Sequence, residues 1–309
     1  MKIVQEYRGI ASAKLQEARS LVRLFAFDYD GTVYDGQDHA FPEVVDLTRR
    51  VLAKDRSIAI ITARAASAMK VFVPAFGTLL AEYGGGGSIF IGTGNGTVLY
   101  ELNKMGLRSV YDYGFTLHQI LRVVECWKRI CEVHALGIDD LHESGIATFI
   151  KFFCDDWTNY IPDEVLKACR PYGGKIFAES AKVTFVLPRN EVLRDKVIRS
   201  VERELGRRYI VVVGDKTFAH ITRRLDEDGK AIAVKTILHL LGLEQTQVVT
   251  FGDMPTGNDK GLLSFPFSFT NSEGLFCKKN GMEKPPYILA NMGLSPVGQV
   301  YGAVDVLLE

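Results

Sequence analysis

The segment Asp28-Tyr29-Asp30-Gly31-Thr32 directly follows the apolar run Leu24-Phe25-Ala26-Phe27. A run this short and apolar is typical of a strand that is buried on both faces. Asp28 and Asp30 would point to one side if the extended geometry continued, whereas Gly31 favours a bend at this point. In either geometry two carboxylates share a small space beside a turn. Such a pair suits a nucleophile, a proton carrier and a hard cation such as Mg²⁺.

Two further apolar runs end in polar residues in the same way. Residues 58–61 lead to Thr62, and residues 248–251 lead to Gly252-Asp253. Helical patterns separate the three runs, at residues 43–54, 65–73 and 231–241. Alternating strands and helices predict an α/β fold with a doubly wound, Rossmann-like parallel sheet, whose ligands bind beyond the carboxyl ends of the strands. We therefore expect the three polar strand ends to meet at one crevice.

Residues 102–222 break this alternation, and we interpret them as an inserted α+β domain. Residues 1–101 and 223–309 would then form the core domain. Within the insertion, the patterns predict helices at 115–136, 162–170 and 190–205, and strands at 146–153, 183–187, 209–213 and 220–224.

A glycine-rich stretch precedes the insertion. After the run 84–87, the segment Gly92-Thr93-Gly94-Asn95-Gly96 has the composition of a hairpin turn through Asn95-Gly96. A phosphate-binding loop is the functional alternative. It is disfavoured because no Lys-Ser or Lys-Thr pair follows the glycines.

The composition indicates neither a nucleic-acid nor a membrane partner. The chain of 309 residues has 37 Lys plus Arg and 37 Asp plus Glu, so no charge imbalance indicates nucleic acid or a membrane surface. Five cysteines without paired spacing predict free thiols in a reducing, cytoplasmic compartment. No apolar stretch reaches membrane-spanning length, and the N-terminus reads as a mixed polar helix without a secretory signal. Nothing in the sequence indicates the oligomeric state.

Four segments, in chain order, resemble the four motifs of the haloacid dehalogenase (HAD) superfamily. The segment 28–32 resembles motif I, Thr62 resembles motif II, Lys230 at a helix start resembles motif III, and Gly252-Asp253 with Asn258-Asp259 resembles motif IV. The insertion resembles the C2-type cap of Cof-like phosphatases, sucrose-phosphate phosphatases and phosphomannomutases. The resemblance implies a phosphomonoesterase that hydrolyses a small phosphorylated metabolite, with sugar phosphates as the leading class.

The resemblance also implies a role for each acid. Asp28 would attack phosphorus and form an aspartyl phosphate. Asp30 would protonate the leaving alkoxide and then deprotonate the hydrolytic water. Asp28 and Asp253, with the backbone carbonyl of Asp30, would bind Mg²⁺ and offset the repulsion between nucleophile and phosphoryl group.

Four other residues complete the expected site. Thr62, Lys230 and Asn258 would bind the substrate phosphate. Asn258 and Asp259 would also orient the water shell of the metal or position the lysine. A phosphate dianion repels an anionic nucleophile, so hydrogen-bond donors and a cation are needed around it.

Several assignments have alternatives. Thr62 is equally suited to cap the N-terminus of a helix. Arg64 could contact substrate or face solvent. Lys235 competes with Lys230 for the motif III role, but Lys230 fits the helix start better, and Lys235 is expected to be solvated.

Two departures from the family pattern affect which subfamily the sequence resembles. Ala63 stands where glycine often follows the motif II residue. Asn258 lies five residues after Asp253 instead of three, so the loop 254–257 is two residues longer than in most Cof-like phosphatases. Phosphomannomutases have a still longer loop. A sugar-phosphate mutase is therefore the first alternative function, and a non-catalytic binding protein on the same fold is the second.

Overall fold

The computed structural model describes residues 2–64, 69–83, 86–103, 106–143, 163–172, 175–178, 181–214, 217–255, 257–272, 286–289 and 294–309. These residues form two compact units. The first contains Met1–Arg64, Met69–Tyr111 and Glu227–Glu309, and the second contains Asp112–Asp226. The assignment of 102–222 as a cap domain remains a prediction.

The first unit is built on an eight-stranded sheet. Its strands, labelled in chain order, are β1 (Leu24–Phe27), β2 (Ser57–Ile61), β3 (Ile89–Thr93), β4 (Val98–Asn103), β5 (Gly106–Asp112), β10 (Val248–Gly252), β11 (Phe267–Thr270) and β12 (Tyr287–Ile288). Their order across the sheet is β12-β11-β10-β1-β2-β3-β4-β5. The pairs from β12 to β3 are parallel, and β4 is antiparallel to β3. The predicted α/β fold with a parallel sheet is confirmed.

Helices pack against this sheet. They are α1 (Lys2–Arg19), α2 (Phe41–Leu52), α3 (Phe72–Glu82), α7 (Gly229–Leu241) and α8 (Pro296–Leu308). Leu24 and Ala26 belong to the cluster that includes the apolar side of α7. Phe25 and Phe27 alternate with them and are also fully buried. Burial on both faces explains why β1 is a continuous apolar run without alternation.

The central strand β1 has both of its neighbours in the same register. Phe27 lies opposite Phe251 of β10 and opposite Ile60 of β2. The strands are parallel, so the residues that follow them, Asp28 and Asp253 among them, leave the sheet at the same edge. The polar residues at the ends of these parallel strands therefore lie at one edge of the sheet, as the sequence pattern predicted.

The helix predicted at 65–73 is only partly right over its described residues. Phe72 and Val73 are helical because α3 begins at Phe72, whereas Met69 is in a 3₁₀ conformation and residues 70–71 form a turn. Residues 65–68 lie outside the described residues. Pro74 lies in the first turn of α3. A proline is tolerated in the first turn because the amide hydrogens there have no partner within the helix. It therefore marks where the helix starts instead of where it ends.

The second unit contains the helices α4 (Leu117–Val133), α5 (Asp163–Cys169) and α6 (Glu191–Leu205) and the strands β6 (Ile176–Ala178), β7 (Val183–Val186), β8 (Tyr209–Gly214) and β9 (Phe218–Arg223). The four strands form a sheet in the order β6-β7-β9-β8, with antiparallel pairs throughout. Trp127 stacks on Phe185 at 4.4 Å between ring centroids in its core. The predicted strand at 146–153 lies outside the described residues.

None of the helices in the described part of the chain combines the length and the apolar character needed to cross a membrane.

Candidate active site

Three carboxylates meet at the edge of the large sheet where the parallel strands end. Asp28 follows β1, and its backbone amide donates to the carbonyl of Phe251 in β10 at 2.9 Å. Asp253 follows β10. Together with Asp259, these residues place one carboxylate oxygen each within 4.8 Å of the others. Asp28 is 4% exposed and Asp259 is fully buried. The structure thus brings together two of the predicted metal ligands and one predicted supporting acid.

Lys230 lies among these acids. Its Nζ is fully buried and donates to Oδ1 of Asp28 and to Oδ1 of Asp259, at 2.5 Å in each case. Asp228 caps the helix α7 by accepting from the backbone amides of Lys230 at 2.9 Å and Ala231 at 3.3 Å. The cap fixes the start of the helix, and the first turn then directs the ammonium group towards β1.

Lys235, the competing lysine, is solvated as expected. Its side chain is 46% exposed and pairs with Glu227. It does not reach the carboxylates. The choice of Lys230 from its position at the helix start agrees with this geometry.

Asp259 joins two parts of the site. Its Oδ1 accepts from Lys230, and its Oδ2 accepts from the backbone amides of Asp253 at 3.0 Å and Met254 at 2.9 Å. A buried carboxylate that accepts three hydrogen bonds is well compensated for its loss of solvent. The lysine-positioning role predicted for Asp259 fits these bonds.

Burial and the crowding of charge shift the pKa values of Asp28, Asp253 and Lys230. Burial raises the pKa of Asp28 to about 7, with Lys230 opposing this effect and Asp259 adding to it. Burial, followed by the charges of Asp259 and Asp28, raises the pKa of Asp253 to about 8. Burial alone would lower the pKa of Lys230, but the two carboxylates beside it raise that pKa above its ordinary value.

The donor set fits a divalent cation. Lys230 supplies one positive charge to a cluster of three carboxylates. Burial is the main cause of the raised pKa values of Asp28 and Asp253, and the neighbouring carboxylates add to it. Carboxylate oxygens close together are the ligands that Mg²⁺ prefers. An ion bound here would relieve the mutual repulsion of the acids.

Asp30 lies apart from this cluster. The chain bends at Gly31, where φ is 74°, as the sequence predicted. The Asp30 side chain is 48% exposed and accepts two hydrogen bonds from Arg64, from Nε at 2.8 Å and from a terminal nitrogen at 2.5 Å. Arg64, which the sequence left undecided between substrate and solvent, is therefore the partner of the predicted acid.

Thr62 and Asn258 hold the remaining predicted positions. The fully buried Thr62 follows β2, and its Oγ1 accepts from the backbone amide of Arg64 at 3.0 Å. Residues 63–64 form a bend and not a helical turn. Asn258 donates through Nδ2 to Oδ1 of Asn95 at 3.5 Å. Its own Oδ1 is buried, and it has no partner among the described residues.

Sequence reasoning missed three residues that support the site. Asp228 could have been recognised, because an aspartate before a helix start is a common cap. Asn95 was assigned to a hairpin turn, which the antiparallel β3–β4 pair confirms, but its contacts were not predictable. Asn271 donates to the carbonyl of Gly31 at 2.8 Å and so braces the motif I bend. No local pattern around Asn271 indicates that contact.

Comparison with solved structures identifies the fold. A HAD/COF-like hydrolase from Plasmodium vivax is 19% identical and superposes with a TM-score of 0.56, covering 95% of this chain and 97% of that one. A haloacid dehalogenase-like hydrolase from Bacteroides thetaiotaomicron is 16% identical with a TM-score of 0.54, covering 82% of this chain and 90% of the other. A C-terminally truncated IMP-nucleotidase from Plasmodium falciparum is 13% identical with a TM-score of 0.54, covering 96% and 74%.

The chain therefore has the fold of the haloacid dehalogenase-like hydrolases. No protein-family model matches the sequence, and a search of curated proteins found no match. At these identities the likeness defines the fold alone.

Proposed function

We propose that this protein is a Mg²⁺-dependent phosphomonoesterase that works through an aspartyl phosphate on Asp28. The observation that carries the proposal is the buried ammonium of Lys230 between Asp28 and Asp259, with Asp253 beside them. The ammonium holds the carboxylate of Asp28 in one orientation at the edge of the sheet where ligands of such folds bind. The fold of HAD-like hydrolases supports the same reaction class.

In the first half-reaction, an oxygen of Asp28 forms a bond to phosphorus while the bond from phosphorus to the substrate alcohol breaks. Asp30 gives its proton to the leaving alkoxide. The hydroxyl of Thr62, the ammonium of Lys230 and the amide of Asn258 donate to the phosphoryl oxygens. Their donation stabilises the charge that accumulates as the bonds are exchanged.

In the second half-reaction, Asp30 takes a proton from water as the water oxygen attacks phosphorus. The bond between phosphorus and Asp28 then breaks, which releases inorganic phosphate and restores the carboxylate. One residue thus serves as acid and then as base. The partly exposed position of Asp30 suits it to groups that enter and leave the site.

We propose Asp28, Asp253 and the backbone carbonyl of Asp30 as the ligands of Mg²⁺. When bound, the cation supplies positive charge between the nucleophile and the phosphoryl dianion. Asn258 would orient its water shell, since its Oδ1 is a buried acceptor that has no partner among the described residues. Asp259 would hold Lys230 and the backbone of Asp253 in place.

For substrate, we propose a small phosphorylated metabolite, with sugar phosphates as the leading class and residues 102–222 as the cap that selects it. The similarity in fold to an IMP-nucleotidase makes nucleoside monophosphates the second class to test. A phosphate-release screen over sugar, polyol, nucleotide and cofactor phosphates separates them. The free thiols of Cys126, Cys131 and Cys169 support a reducing, cytoplasmic environment.

The decisive experiment is hydrolysis of para-nitrophenyl phosphate with added MgCl₂. We expect Asp28→Asn to abolish it and the exposed Asp139→Asn to leave it unchanged. Activity of the Asp28→Asn variant equal to that of the wild type would refute the nucleophile assignment. Absence of phosphate release from every member of the screen would instead favour a binding protein on this fold.

The length of the loop between Asp253 and Asn258 supports a second candidate, a sugar-phosphate mutase. In a mutase the aspartyl phosphate returns its phosphoryl group to a sugar hydroxyl. Incubation with hexose 1-phosphates separates the two reactions. Free phosphate without hexose 6-phosphate supports the phosphatase, and hexose 6-phosphate as the main product supports the mutase.

A further inference from the structure

The turn between β3 and β4 has an unusual backbone. Gly94, Asn95 and Gly96 all have positive φ, at 56°, 59° and 79°. Glycine adopts this region without strain, and asparagine does so more readily than most residues. Reversal of the chain in a two-residue hairpin turn needs at most two such residues. The third positive φ value, at Gly94, is not needed to reverse the chain, and we attribute it to the contacts that the turn makes with neighbouring segments.

One contact of the turn is with the segment that carries Thr62. The backbone amide of Asn95 donates to the carbonyl of Thr62 at 2.8 Å, and the amide of Gly94 donates to the carbonyl of Arg64 at 2.9 Å. The amide of Thr62 in turn donates to the carbonyl of Gly92 at 2.9 Å. The chain around Thr62 is therefore held by the turn beyond the end of the β2–β3 ladder.

The second contact is with the start of α7. A Cβ added to Gly96 would lie 2.6 Å from the carbonyl carbon of Gly229 and 3.0 Å from the amide nitrogen of Lys230. A Cβ added to Gly229 would overlap the carbonyl oxygen of Asn95. Both contacts are with backbone, which cannot rotate away as a flexible side chain can. A larger residue at Gly96 therefore requires the first turn of α7 to move.

We propose that Asn95 and Gly96 are positioning residues of the phosphoryl site. The turn holds the Thr62 segment on one side and the first turn of α7 on the other, and so fixes the separation between the Thr62 hydroxyl and the Lys230 ammonium. The carboxamide of Asn95 adds a third link, to Asn258. The catalytic consequence of this arrangement rests on the proposed function, whereas the positioning itself does not.

Gly96→Ala tests the contact with α7, and Gly242→Ala is its matched control. Gly242 ends the same helix with φ of 64°, and a Cβ there would meet nothing within 4 Å. The two substitutions introduce similar backbone strain, but only Gly96→Ala presses on the residues before Lys230.

Hydrogen exchange measured by mass spectrometry gives a readout that needs no activity. We expect Gly96→Ala to raise amide exchange in residues 228–234 and 60–64, and Gly242→Ala to raise it only near the end of α7. Unchanged exchange at 228–234 in Gly96→Ala would overturn the proposal, whether or not the protein hydrolyses phosphate esters.

Kinetics test the catalytic consequence. A small displacement of a catalytic group has a large effect, so Gly96→Ala should lower kcat/KM roughly 10- to 100-fold, against less than about twofold for Gly242→Ala. Equal losses in the two variants would refute the catalytic role. If the wild-type protein lacks hydrolysis while Gly96→Ala still alters exchange around Lys230, the proposed function fails and the positioning of Lys230 stands.

Asn95→Gly tests the side chain and keeps the protein folded, because glycine retains the positive φ and only the carboxamide is lost. We expect kcat/KM to fall roughly fivefold in the wild-type background and to change little in an Asn258→Ala background, since residues that act through one another are not additive. The same fold loss in both backgrounds would disprove the link through Asn258.

Discussion

The guanidinium of Arg64 donates two hydrogen bonds to the carboxylate of Asp30. It also lies over the rings of Tyr29 and Tyr34, with Cζ 4.8 Å and 5.1 Å from their centroids. Because a guanidinium is planar and donates two parallel hydrogen bonds, these contacts fix the orientation of the Arg64 side chain more tightly than they could fix a lysine. The predicted acid is therefore held in one orientation by a residue that the sequence left without a role.

Replacement of Arg64 should impair reactions that need a proton on the leaving group. We expect Arg64→Met to lower kcat for an alkyl phosphate roughly tenfold. General acid catalysis typically accelerates a reaction about 100- to 10,000-fold, and a misoriented acid should lose part of that acceleration. Para-nitrophenolate leaves without protonation, so kcat for the hydrolysis of para-nitrophenyl phosphate should change far less. Arg108→Met, which removes another ion pair of the first unit, with Glu101, is the control. Equal losses with both substrates would contradict an effect through Asp30.

Replacement of Lys230 should destabilise the protein as well as inactivate it. Lys230→Met leaves the buried carboxylates of Asp28 and Asp259 without their cation, which costs about 3–5 kcal/mol of the free energy of unfolding. Lys235→Met, on the exposed face of the same helix, should change it by less than about 0.5 kcal/mol. Urea denaturation monitored by circular dichroism measures both. Similar losses in the two variants would contradict the buried position of Lys230.

The helix cap Asp228 should matter for both stability and activity. Asp228→Ala and Asn190→Ala each remove a side-chain cap, at the starts of α7 and α6, and each should cost about 1 kcal/mol. Only Asp228→Ala loosens the turn that carries Lys230. We therefore expect its hydrolytic rate to fall several-fold while Asn190→Ala keeps the wild-type rate. A parallel fall in both would assign the effect to general stability.

Without divalent cations, stability should decrease as the solution becomes more alkaline. Burial and the neighbouring acids raise the pKa of Asp253 from 3.8 to about 8, and burial raises that of Asp28 to about 7. Between these limits the folded state binds more protons than the unfolded state, so the free energy of unfolding falls as pH rises. Urea denaturation in EDTA across this range measures the slope.

Asp253→Asn should flatten that slope and stabilise the metal-free protein, because one repelling carboxylate is gone. In the wild-type protein, MgCl₂ should raise Tm near neutral pH, since a ligand of the folded state stabilises it. The same addition should have little effect on Asp253→Asn. A Tm increase of equal size in both proteins would place the cation elsewhere.

The central part of the fold was predictable because its signals are local. Strand β1 and the residues after it are a single apolar run that ends in charge, and burial on both faces produces that pattern. Strand β11 has no such signal, since it contains Ser268, whose hydroxyl is bonded to that of Thr250 inside the core at 2.7 Å. A polar pair satisfied between two strands cannot be recognised from one strand alone.

The residues of the site likewise fall into those that the local sequence predicts and those that it does not. Asp28, Thr62 and Asp253 stand at the ends of strands, where position in the element fixes direction. Arg64 and Asn95 act through partners distant in the chain, and a bend and a turn bring those partners together only in the folded protein. Such residues become assignable only once distances are known.

The three bonds of Asp259 bear on how loops of this kind change length. Asp259 ties the amides of Asp253 and Met254 to Lys230, so the base of the loop is closed whatever lies between its ends. Met254, directly after the first bonded residue, is already 51% exposed. Insertions here would extend outward and leave Asp253 where it is. The loop can then change in length without loss of the carboxylate cluster beneath it.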